Sequence, residues 1–454
     1  MRGDVAQPVV HDSAEKHVSG AAVYIDDIPE PRDLLHVYLA QSARAHAKVK
    51  SLGLEAVRVA PGVVAVLTAA DIPGVNDVGP VIKDDPIFAD GLVQYVGQCL
   101  FAVAATSVEA ARAAAKLAQV DYENLPAQLT IAEARAAGSV IEPAQTMRLG
   151  DARAAIDAAP RRLSGQMDLG GQDHFYLEGQ VALAIPKEDG DVHVYSSTQN
   201  PTEVQHLVAH ALGELSNAVT VEVRRMGGGF GGKETQPALL AAVAGLVAAK
   251  TRRPAKVRLD RDDDMIMTGK RHNFEIAYEV GFDEGGRLHG AAFDLASQCG
   301  YSTDLSMAIN DRAMFHADNA YFLGAAEIVS HRFRTNTVSN TAFRGFGGPQ
   351  GMVGIERAMD EVAFAVGQDP LDVRLANLYG GEGRNTTPYH QTVEDCVAGE
   401  IMRELAESSD YRERRMEIDD FNAGSPILKK GIALTPVKFG ISFTTTHLNQ
   451  AGAL

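Results

Sequence analysis

The sequence predicts an α+β protein with a small α/β domain in residues 1–126, a linker in residues 127–160 and a larger α+β region in residues 161–454. Short apolar runs alternate with amphipathic helical patterns up to residue 126. The linker is rich in Ala, Pro and Gly and is expected to contain one short helix, and strand and helix patterns resume after it. A chain of 454 residues can form two or three domains with filled cores.

The elements of the small domain follow from apolar runs and their flanking turn residues. Strands are predicted at 63–67, 100–104 and 120–123, and a helix is predicted from residue 106 to about residue 118. Thr106 is the expected N-cap of that helix, because Glu109 follows three residues later at the spacing of a capping box.

The larger region contains further strand and helix patterns. Strands are expected at 192–195, 218–225 and 440–447, and helices after Asn200 and at 237–250, 351–366, 369–378 and 392–406. Asn200 is the expected cap of the first helix, with Pro201 at its first position and Glu203 at its third. Residues 237–250 are apolar on all sides, which is typical of a helix buried in a core.

The composition argues against several classes of protein. Lys and Arg number 42 against 59 Asp and Glu, a net charge of −17, whereas a nucleic-acid-binding protein needs a clustered basic surface. No apolar run reaches the roughly 20 residues of a membrane-spanning helix, and the N-terminus lacks a signal-peptide pattern, so we expect a cytoplasmic protein. Cys99, Cys299 and Cys396 are too scattered for a disulfide framework or a zinc site.

The glycines, 43 in all, concentrate in three segments that also carry polar and aromatic residues. These are residues 170–174 (GGQDH), 227–234 (GGGFGGKE) and 343–350 (FRGFGGPQ). Glycine lets a backbone approach a ligand closely and leaves its amide donors unobstructed. One such segment is more often a tight turn, but three of them together predict a shared pocket.

The middle segment has a competing interpretation as a phosphate-binding P-loop. Gly227, Gly232 and Lys233 have the required spacing between a strand and a helix. The next residue should be Ser or Thr to bind magnesium, but it is Glu234, whose carboxylate would repel a triphosphate. The P-loop interpretation is therefore weak.

Longer segments around these glycines resemble the molybdenum-binding (molybdopterin) subunit of the xanthine dehydrogenase, or xanthine oxidase, family of molybdenum hydroxylases. They are residues 170–178 (GGQDHFYLE), 226–234 (MGGGFGGKE) and 340–350 (NTAFRGFGGPQ), in the order found in that family. The resemblance covers nearly the whole chain. It implies that the small domain, from about residue 16, is the family's α/β hammerhead domain and that the larger region is the first part of its molybdopterin-binding domain.

The resemblance implies a cofactor-binding role for four residues. Gln172 would hydrogen-bond with a ligand of the molybdenum, and Phe230 and Gly231 would line the metal with their backbone. Arg344 would make a further contact to the molybdenum site. These residues would surround the metal without being direct side-chain ligands.

The resemblance further implies that Glu234 and Arg312 are the catalytic and substrate-binding pair and that Phe346 stacks on a flat substrate. A purine fits this set, because Glu234 can accept or share a ring proton while Arg312 stabilises negative charge on an exocyclic oxygen. Related aldehyde-oxidising members generally lack the pair. The implied reaction is hydroxylation of hypoxanthine and xanthine to urate at a Mo–OH/Mo=S centre.

Structural interpretations compete with these roles. Glu234 could complement the dipole of a helix N-terminus, and Arg312 could cap a helix. His206 and His210 lie four residues apart on a helix and imitate a metal pair, but they lack a third ligand. The acidic run 260–264 lacks the glycine and the glutamate of a calcium loop and is expected to be a charged turn.

The resemblance also implies partners. The family's general base is a glutamate near the far end of the complete subunit, and these residues contain no counterpart of it. We therefore expect a C-terminal molybdopterin-domain chain to complete the site, unless the chain is a truncated product. The [2Fe–2S] clusters and FAD would lie on partner chains, because three scattered cysteines cannot hold such clusters. We therefore expect a hetero-oligomer that acts in purine catabolism.

Two alternatives stay open. The chain could belong to a hydroxylase of another N-heterocycle or of an aldehyde, or it could be a non-catalytic scaffold subunit that keeps the fold without the cofactor. Loss of xanthine turnover in an Arg312→Met variant would favour the purine, and molybdenum in the assembled complex would exclude the scaffold.

Overall fold

The computed structural model describes residues 7–381, 383–442 and 449. Its contacts divide the chain into two compact units, each built from two separate segments. The first unit consists of Met1–Pro126 and His174–Gly269, and the second consists of Ala127–Asp173 and Lys270–Leu454. Both units combine strands and helices, as the sequence predicts.

The secondary structure comprises fifteen strands and thirteen α-helices within the described residues. The strands are β1 Leu35–Gln41, β2 Ala47–Gly53, β3 Val63–Leu67, β4 Leu92–Val93, β5 Cys99–Ala105, β6 Gln119–Asn124, β7 Val140–Leu149, β8 Arg161–Leu169, β9 Val181–Pro186, β10 Val192–Ser196, β11 Val219–Glu222, β12 Ala255–Arg258, β13 Phe274–Phe282, β14 Leu288–Gly300 and β15 Ala326–Arg334. The helices are α1 Ala14–Ser19, α2 Glu55–Arg58, α3 Val108–Ala115, α4 Ile131–Ala137, α5 Ala152–Ala158, α6 Pro201–Leu212, α7 Pro237–Thr251, α8 Arg261–Met267, α9 Ser306–Phe315, α10 Gly348–Val366, α11 Pro370–Asn377, α12 Ala398–Ser408 and α13 Tyr411–Gly424. No helix in the described part of the chain is long and apolar enough to cross a membrane.

The first unit is built on a seven-stranded mixed sheet with the order β11-β10-β9-β12-β1-β5-β3. β12 joins the two segments of the unit, because it runs parallel to β1 with Ala255 opposite Leu35. α7 packs on α6 and β9, and 11 of its 15 residues are buried, which explains why its sequence is apolar all round. A smaller sheet, β4-β2-β6, completes the unit.

The second unit is built on a five-stranded sheet with the order β7-β15-β14-β13-β8. β13 and β14 form a long antiparallel pair at its centre. α9 and α10 pack against each other and against this sheet, and their apolar residues share one core with the strands. This packing fixes the end of α9, where Arg312 lies.

Several predicted elements need correction. The N-cap of α3 is Ser107 rather than Thr106, because the Ser107 side chain accepts the Ala110 N–H. Residues 127–160, predicted as a linker with one short helix, contain α4, β7 and α5, and β7 tolerates Pro143 because it is an edge strand. α12 begins at Ala398, later than the predicted residue 392.

Two further predictions concern the acidic run and the last strand. The acidic run 260–264 is not a charged turn but the start of α8, since the Asp260 carboxylate caps that helix by accepting the Asp263 N–H. Of the strand predicted at 440–447, residues 440–442 are not in a strand, and residues 443–447 lie outside the described part of the chain.

Candidate functional site

The glycine segment 227–234 of the first unit forms a tight loop around the side-chain amide of Gln199. Gln199 Oε1 accepts hydrogen bonds from the backbone N–H of Gly231 at 2.9 Å and of Lys233 at 3.3 Å. A Cβ at Gly229 would lie 2.5 Å from this oxygen, so a larger residue there would displace the Gln199 side chain from the loop. The Phe230–Gly231 backbone, predicted to line a cofactor, is therefore held by a residue that no local motif identifies.

Lys233 faces the protein interior instead of a ligand. Its ammonium group is fully buried and donates to the Glu178 backbone oxygen at 2.7 Å and to Ser197 Oγ at 2.8 Å. Burial lowers the pKa of Lys233 to about 8, although the nearby Glu178 carboxylate opposes the shift. A P-loop lysine must reach the phosphates of its ligand, so the structure rejects the P-loop interpretation.

Glu234 closes the same loop. Its backbone N–H donates to the Gly231 carbonyl at 3.4 Å, and it lies three residues before Pro237, the first residue of α7. The residue is half-buried. A carboxylate just before a helix N-terminus is stabilised by the helix dipole, so this position is compatible with both the structural and the substrate-binding interpretation.

Gln172, Arg271 and Arg344 form a hydrogen-bonded group in the second unit. Arg271 Nε donates to Gln172 Oε1 at 2.7 Å, and Arg271 Nη2 donates to the backbone oxygen of Arg344 at 2.9 Å. The Arg271 guanidinium also stacks 4.0 Å from the centre of the Phe343 ring. Its Nη1 is buried and has no hydrogen-bond partner among the described residues.

This group has the chemistry of an anion-binding surface. Because Gln172 Oε1 accepts from Arg271, the other terminal atom of Gln172 is its NH₂ donor. Gln172 and Arg344 are both exposed, and the Arg344 side chain makes no hydrogen bond or ion pair within the described ranges. Burial lowers the pKa of Arg271 to about 10, which leaves it charged at neutral pH. The donors and positive charge suit an anionic ligand rich in oxygen atoms.

Arg312 lies in the last turn of α9, between two aromatic rings. Its guanidinium carbon is 5.6 Å from the centre of the Phe346 ring and 5.1 Å from that of Phe439. The backbone carbonyls of Gly440 and Ser442 accept hydrogen bonds from its two terminal nitrogens. A cavity of about 840 Å³ opens beside this group. The structure therefore brings together Arg312 and Phe346, the two predicted substrate-binding residues of the second unit.

Gly347 allows the loop that contains Phe346 to lie directly against α9. Gly347 has φ +94°, and a Cβ there would come within 3.0 Å of the backbone oxygen of Ile309 in α9. The Phe346 ring packs against Leu305 and Ile309. The sequence pattern suggests that glycines let the backbone approach a ligand, whereas at this position the glycine brings two parts of the protein together.

Each of the three longer segments, 170–178, 226–234 and 340–350, contains a phenylalanine with a left-handed backbone. Phe175, Phe230 and Phe346 have φ angles of +48°, +55° and +48°. Bulky residues rarely adopt this conformation, and such strain clusters at ligand-binding sites. Phe175 and Phe230 are 62% and 49% exposed, and Phe346 is half-buried. Three strained and accessible aromatic residues in these segments favour contact with a ligand.

The other candidate residues do not form a site. His206 and His210 are exposed on α6, as expected for solvent-facing side chains. Within the described ranges, no group of three or more His, Cys, Asp or Glu side chains could hold a metal ion. Arg112 pairs with two carboxylates of the acidic run, those of Asp260 and Asp263.

Two family models match the chain. Residues 134–378 match the molybdopterin cofactor-binding domain, and residues 19–126 match the α/β hammerhead domain of aldehyde oxidase and xanthine dehydrogenase. The first match alone covers more than half of the chain. The chain therefore belongs to the molybdopterin-binding family of aldehyde oxidases and xanthine dehydrogenases.

Individual relatives refine this assignment. The chain is 43% identical over 451 residues to the xanthine dehydrogenase/oxidase of Gallus gallus and 40% identical over 454 residues to the xanthine dehydrogenase of Oryza sativa subsp. japonica. Each alignment covers 99% of this chain but 33% of the relative, so the chain spans about a third of the length of these relatives. The solved aldehyde oxidoreductase of Desulfovibrio gigas superposes with a TM-score of 0.84 at 27% identity, covering 90% of this chain and 47% of that one.

These similarities confirm the predicted family, the α+β fold class and the presence of a molybdopterin-binding domain. They do not test the roles of single residues, which stay predictions.

Proposed function

We propose that the chain is part of the molybdenum subunit of a purine hydroxylase of the xanthine dehydrogenase type, which converts hypoxanthine and xanthine to urate. The observation that carries this proposal is the position of Arg312, whose guanidinium lies between two aromatic rings beside a cavity of about 840 Å³. A flat heterocycle with an exocyclic oxygen suits Arg312 and its neighbour Phe346, because the oxygen can accept from the guanidinium while the ring stacks on the phenylalanine.

The proposed cofactor is molybdopterin with its molybdenum. It fits the group of Gln172, Arg271 and Arg344, because the cofactor is anionic and rich in oxygen whereas these residues offer hydrogen-bond donors and positive charge. In the first unit, Phe230 and Gly231 would line it with their backbone. When bound, the cofactor supplies the oxidative hydroxylation of an electron-poor ring carbon.

The remaining roles belong to side chains of this chain. Glu234, which lies just before the N-terminus of α7, would accept or share a proton of a ring nitrogen. Arg312 would keep its charge and stabilise negative charge that develops on the exocyclic oxygen. Phe346 would hold the plane of the substrate.

We further propose that catalysis requires protein segments that this chain does not supply. The relatives are about three times as long as the region they share with this chain. The remaining molybdopterin-binding segment with the general base, the [2Fe–2S] clusters and FAD would lie in such segments, on partner chains of a hetero-oligomer. The small number of cysteines supports this division, because Cys99 and Cys299 are buried thiols and cannot bind a cluster without rearrangement.

An Arg312→Met variant of the assembled enzyme that contains this chain tests the purine assignment. The kcat/KM for xanthine should fall about 100-fold, the usual cost of removing one donor to a developing oxyanion. Arg357→Met, the same change on the exposed face of α10, should leave it unchanged.

Three outcomes would contradict the proposal. Unchanged xanthine turnover in Arg312→Met would reject the substrate-binding role of Arg312, on which the purine assignment rests. An unmodified enzyme that turns over an aldehyde or another N-heterocycle but not xanthine would reject the purine and identify the competing substrate. A stable assembled complex that contains no molybdenum would reject the enzymatic function and favour a scaffold subunit.

A further inference from the structure

His316 sits directly after α9 and is held through both ring nitrogens. Its Nδ1 lies 2.7 Å from the backbone oxygen of Arg312, and its Nε2 lies 3.0 Å from the backbone nitrogen of Gly440. A backbone N–H can only donate, so Nε2 is the unprotonated acceptor and Nδ1 carries the proton that it donates to the Arg312 carbonyl. The two hydrogen bonds therefore require the neutral Nδ1–H tautomer.

Residues 438–442, which we call the strap, connect His316 to the guanidinium of Arg312. The N–H of Gly440 is bound by the His316 ring, and the carbonyl of Gly440 accepts from the Arg312 guanidinium. The carbonyl of Ser442 accepts from the same guanidinium. The Phe439 ring packs 4.9 Å from the His316 ring and 5.1 Å from the Arg312 guanidinium carbon. One short segment thus passes between the imidazole and the arginine.

The start of the strap is anchored separately. The N–H of Lys438 donates to Asn319 Oδ1 at 3.0 Å, and its ammonium group binds the buried carboxylate of Asp318. These contacts lie two or more residues before Gly440 and do not reach the carbonyls that hold Arg312. Among the described residues, the hydrogen bond from the Gly440 N–H to His316 Nε2 therefore holds the strap next to the carbonyls that bind Arg312.

We propose that His316 is a positioning residue for Arg312, because it holds the strap so that the Gly440 and Ser442 carbonyls fix the direction of the guanidinium. The inference rests on the proposed function, in which that guanidinium binds the substrate. His316 itself does not contact the substrate in this proposal. A long arginine side chain loses much rotational freedom when it is held, so a preset guanidinium binds its substrate with a smaller entropic cost.

The electrostatic surroundings favour the neutral imidazole that this role requires. Burial lowers the pKa of His316 to about 4, and the positive charges of Lys438 and Arg312 lower the pKa further, against the effect of the hydrogen bond to the Arg312 carbonyl. The imidazole is therefore neutral at physiological pH.

Two substitutions of different severity test the proposal. His316→Phe keeps the ring packing against Phe439 but removes both hydrogen bonds, whereas His316→Gln retains an amide oxygen that can accept the Gly440 N–H. In His316→Phe, hydrogen exchange of the Gly440 amide should accelerate about tenfold or more, as expected for the loss of one hydrogen bond. His316→Gln should restore most of the protection, and His210→Phe, on the exposed face of α6, should not change it.

A double-variant comparison in the assembled enzyme separates positioning from a general structural effect. His316→Phe should lower the kcat/KM for xanthine about tenfold in the unmodified enzyme but less than twofold in the Arg312→Met background, because the arginine through which it acts is already absent. An equal loss in both backgrounds, or unchanged exchange at Gly440, would overturn the proposal. If Arg312→Met itself left xanthine turnover unchanged, the substrate-binding role of Arg312 in the proposed function would fail, whereas the exchange measurement would still decide whether His316 holds the strap.

Discussion

Alanine substitutions at the two ends of α10 provide a sharp test of how the Phe346 loop is seated. Gly347 precedes the first residue of the helix and Gly367 follows its last residue, with φ angles of +94° and +68°. A Cβ at Gly367 would meet nothing within 4 Å, whereas a Cβ at Gly347 would overlap the backbone oxygen of Ile309. Both variants place an alanine at a positive φ. The strain is greater at Gly347, whose φ of +94° and ψ of −27° lie outside the left-handed α region, and only Gly347→Ala also collides with α9.

The expected energies follow from these two terms. A left-handed backbone costs an alanine about 1–2 kcal/mol relative to glycine, and this term applies to both variants. Forcing an extra methyl group into a packed contact adds about 1–3 kcal/mol, and this term applies to Gly347→Ala alone because a backbone carbonyl cannot rotate away. We expect a loss of about 1–2 kcal/mol for Gly367→Ala and about 2–5 kcal/mol for Gly347→Ala.

Urea unfolding followed by circular dichroism measures the free energy of unfolding of each variant. Tryptophan fluorescence cannot replace it, because the chain contains no tryptophan. Both glycines belong to the second unit, so the same unfolding transition reports on both. If the free energies of unfolding of the two variants agree within about 0.5 kcal/mol, the close contact of Gly347 with α9 contributes nothing to stability, contrary to this prediction.

Three other predictions use similar measurements. Lys233→Met should destabilise the first unit by about 3–5 kcal/mol, because the buried Glu178 carboxylate would keep its hydrogen bonds from Ser197 and Gly227 but lose its positively charged partner. Lys250→Met, in an exposed pair, should cost less than about 1 kcal/mol in the same urea assay. Equal losses would contradict the buried role of Lys233. Burial lowers the folded-state pKa of His272 to about 3 and that of His316 to about 4. Below pH 6.5 the unfolded chain binds protons that the folded chain does not, so the free energy of unfolding should fall as the pH drops, by up to about 1.4 kcal/mol per pH unit for each histidine, whereas above pH 6.5 these groups should have no effect. A urea midpoint that stays constant between pH 6.5 and 5 would refute this prediction. A thiol reagent should label only Cys396 in the folded chain and all three cysteines after unfolding. Cys99 and Cys299 are buried, and burial raises the pKa of both thiols. Fast labelling of more than one thiol in the folded chain would contradict this prediction.

Local signals in the sequence predict the elements whose stability is local. Asn200 caps α6 as its spacing from Glu203 predicts, since both partners lie within one helical turn. The all-round apolar pattern of residues 237–250 correctly predicts that α7 is buried. The capping-box spacing selects Thr106, because Glu109 follows it by three residues whereas Ala110 follows Ser107, yet the Ser107 side chain is the one that caps α3.

Contacts between distant parts of the chain determine the features that local sequence signals do not predict. β7, at the edge of the second sheet, falls in a stretch whose Ala, Pro and Gly content is typical of a linker, and its partner β15 lies far along the chain. Gln199 holds the 227–234 loop of the first unit and Arg271 holds Gln172 and Arg344 in the second unit, yet neither lies in a glycine segment. The motifs indicate the candidate residues, whereas the residues that orient them come from other parts of the sequence.

The position of β12 between β9 and β1 has a consequence for synthesis of the chain. Ala255 of β12 is made 220 residues after Leu35 of β1, because 255 − 35 = 220. A ribosome that adds about 5–20 residues per second needs roughly 10–45 s to cover this distance. During that interval one edge of β1 has unpaired backbone groups and can pair with another nascent chain. A fragment ending at residue 126 would keep this edge permanently, so the hammerhead region should become resistant to aggregation only when translation has passed residue 258.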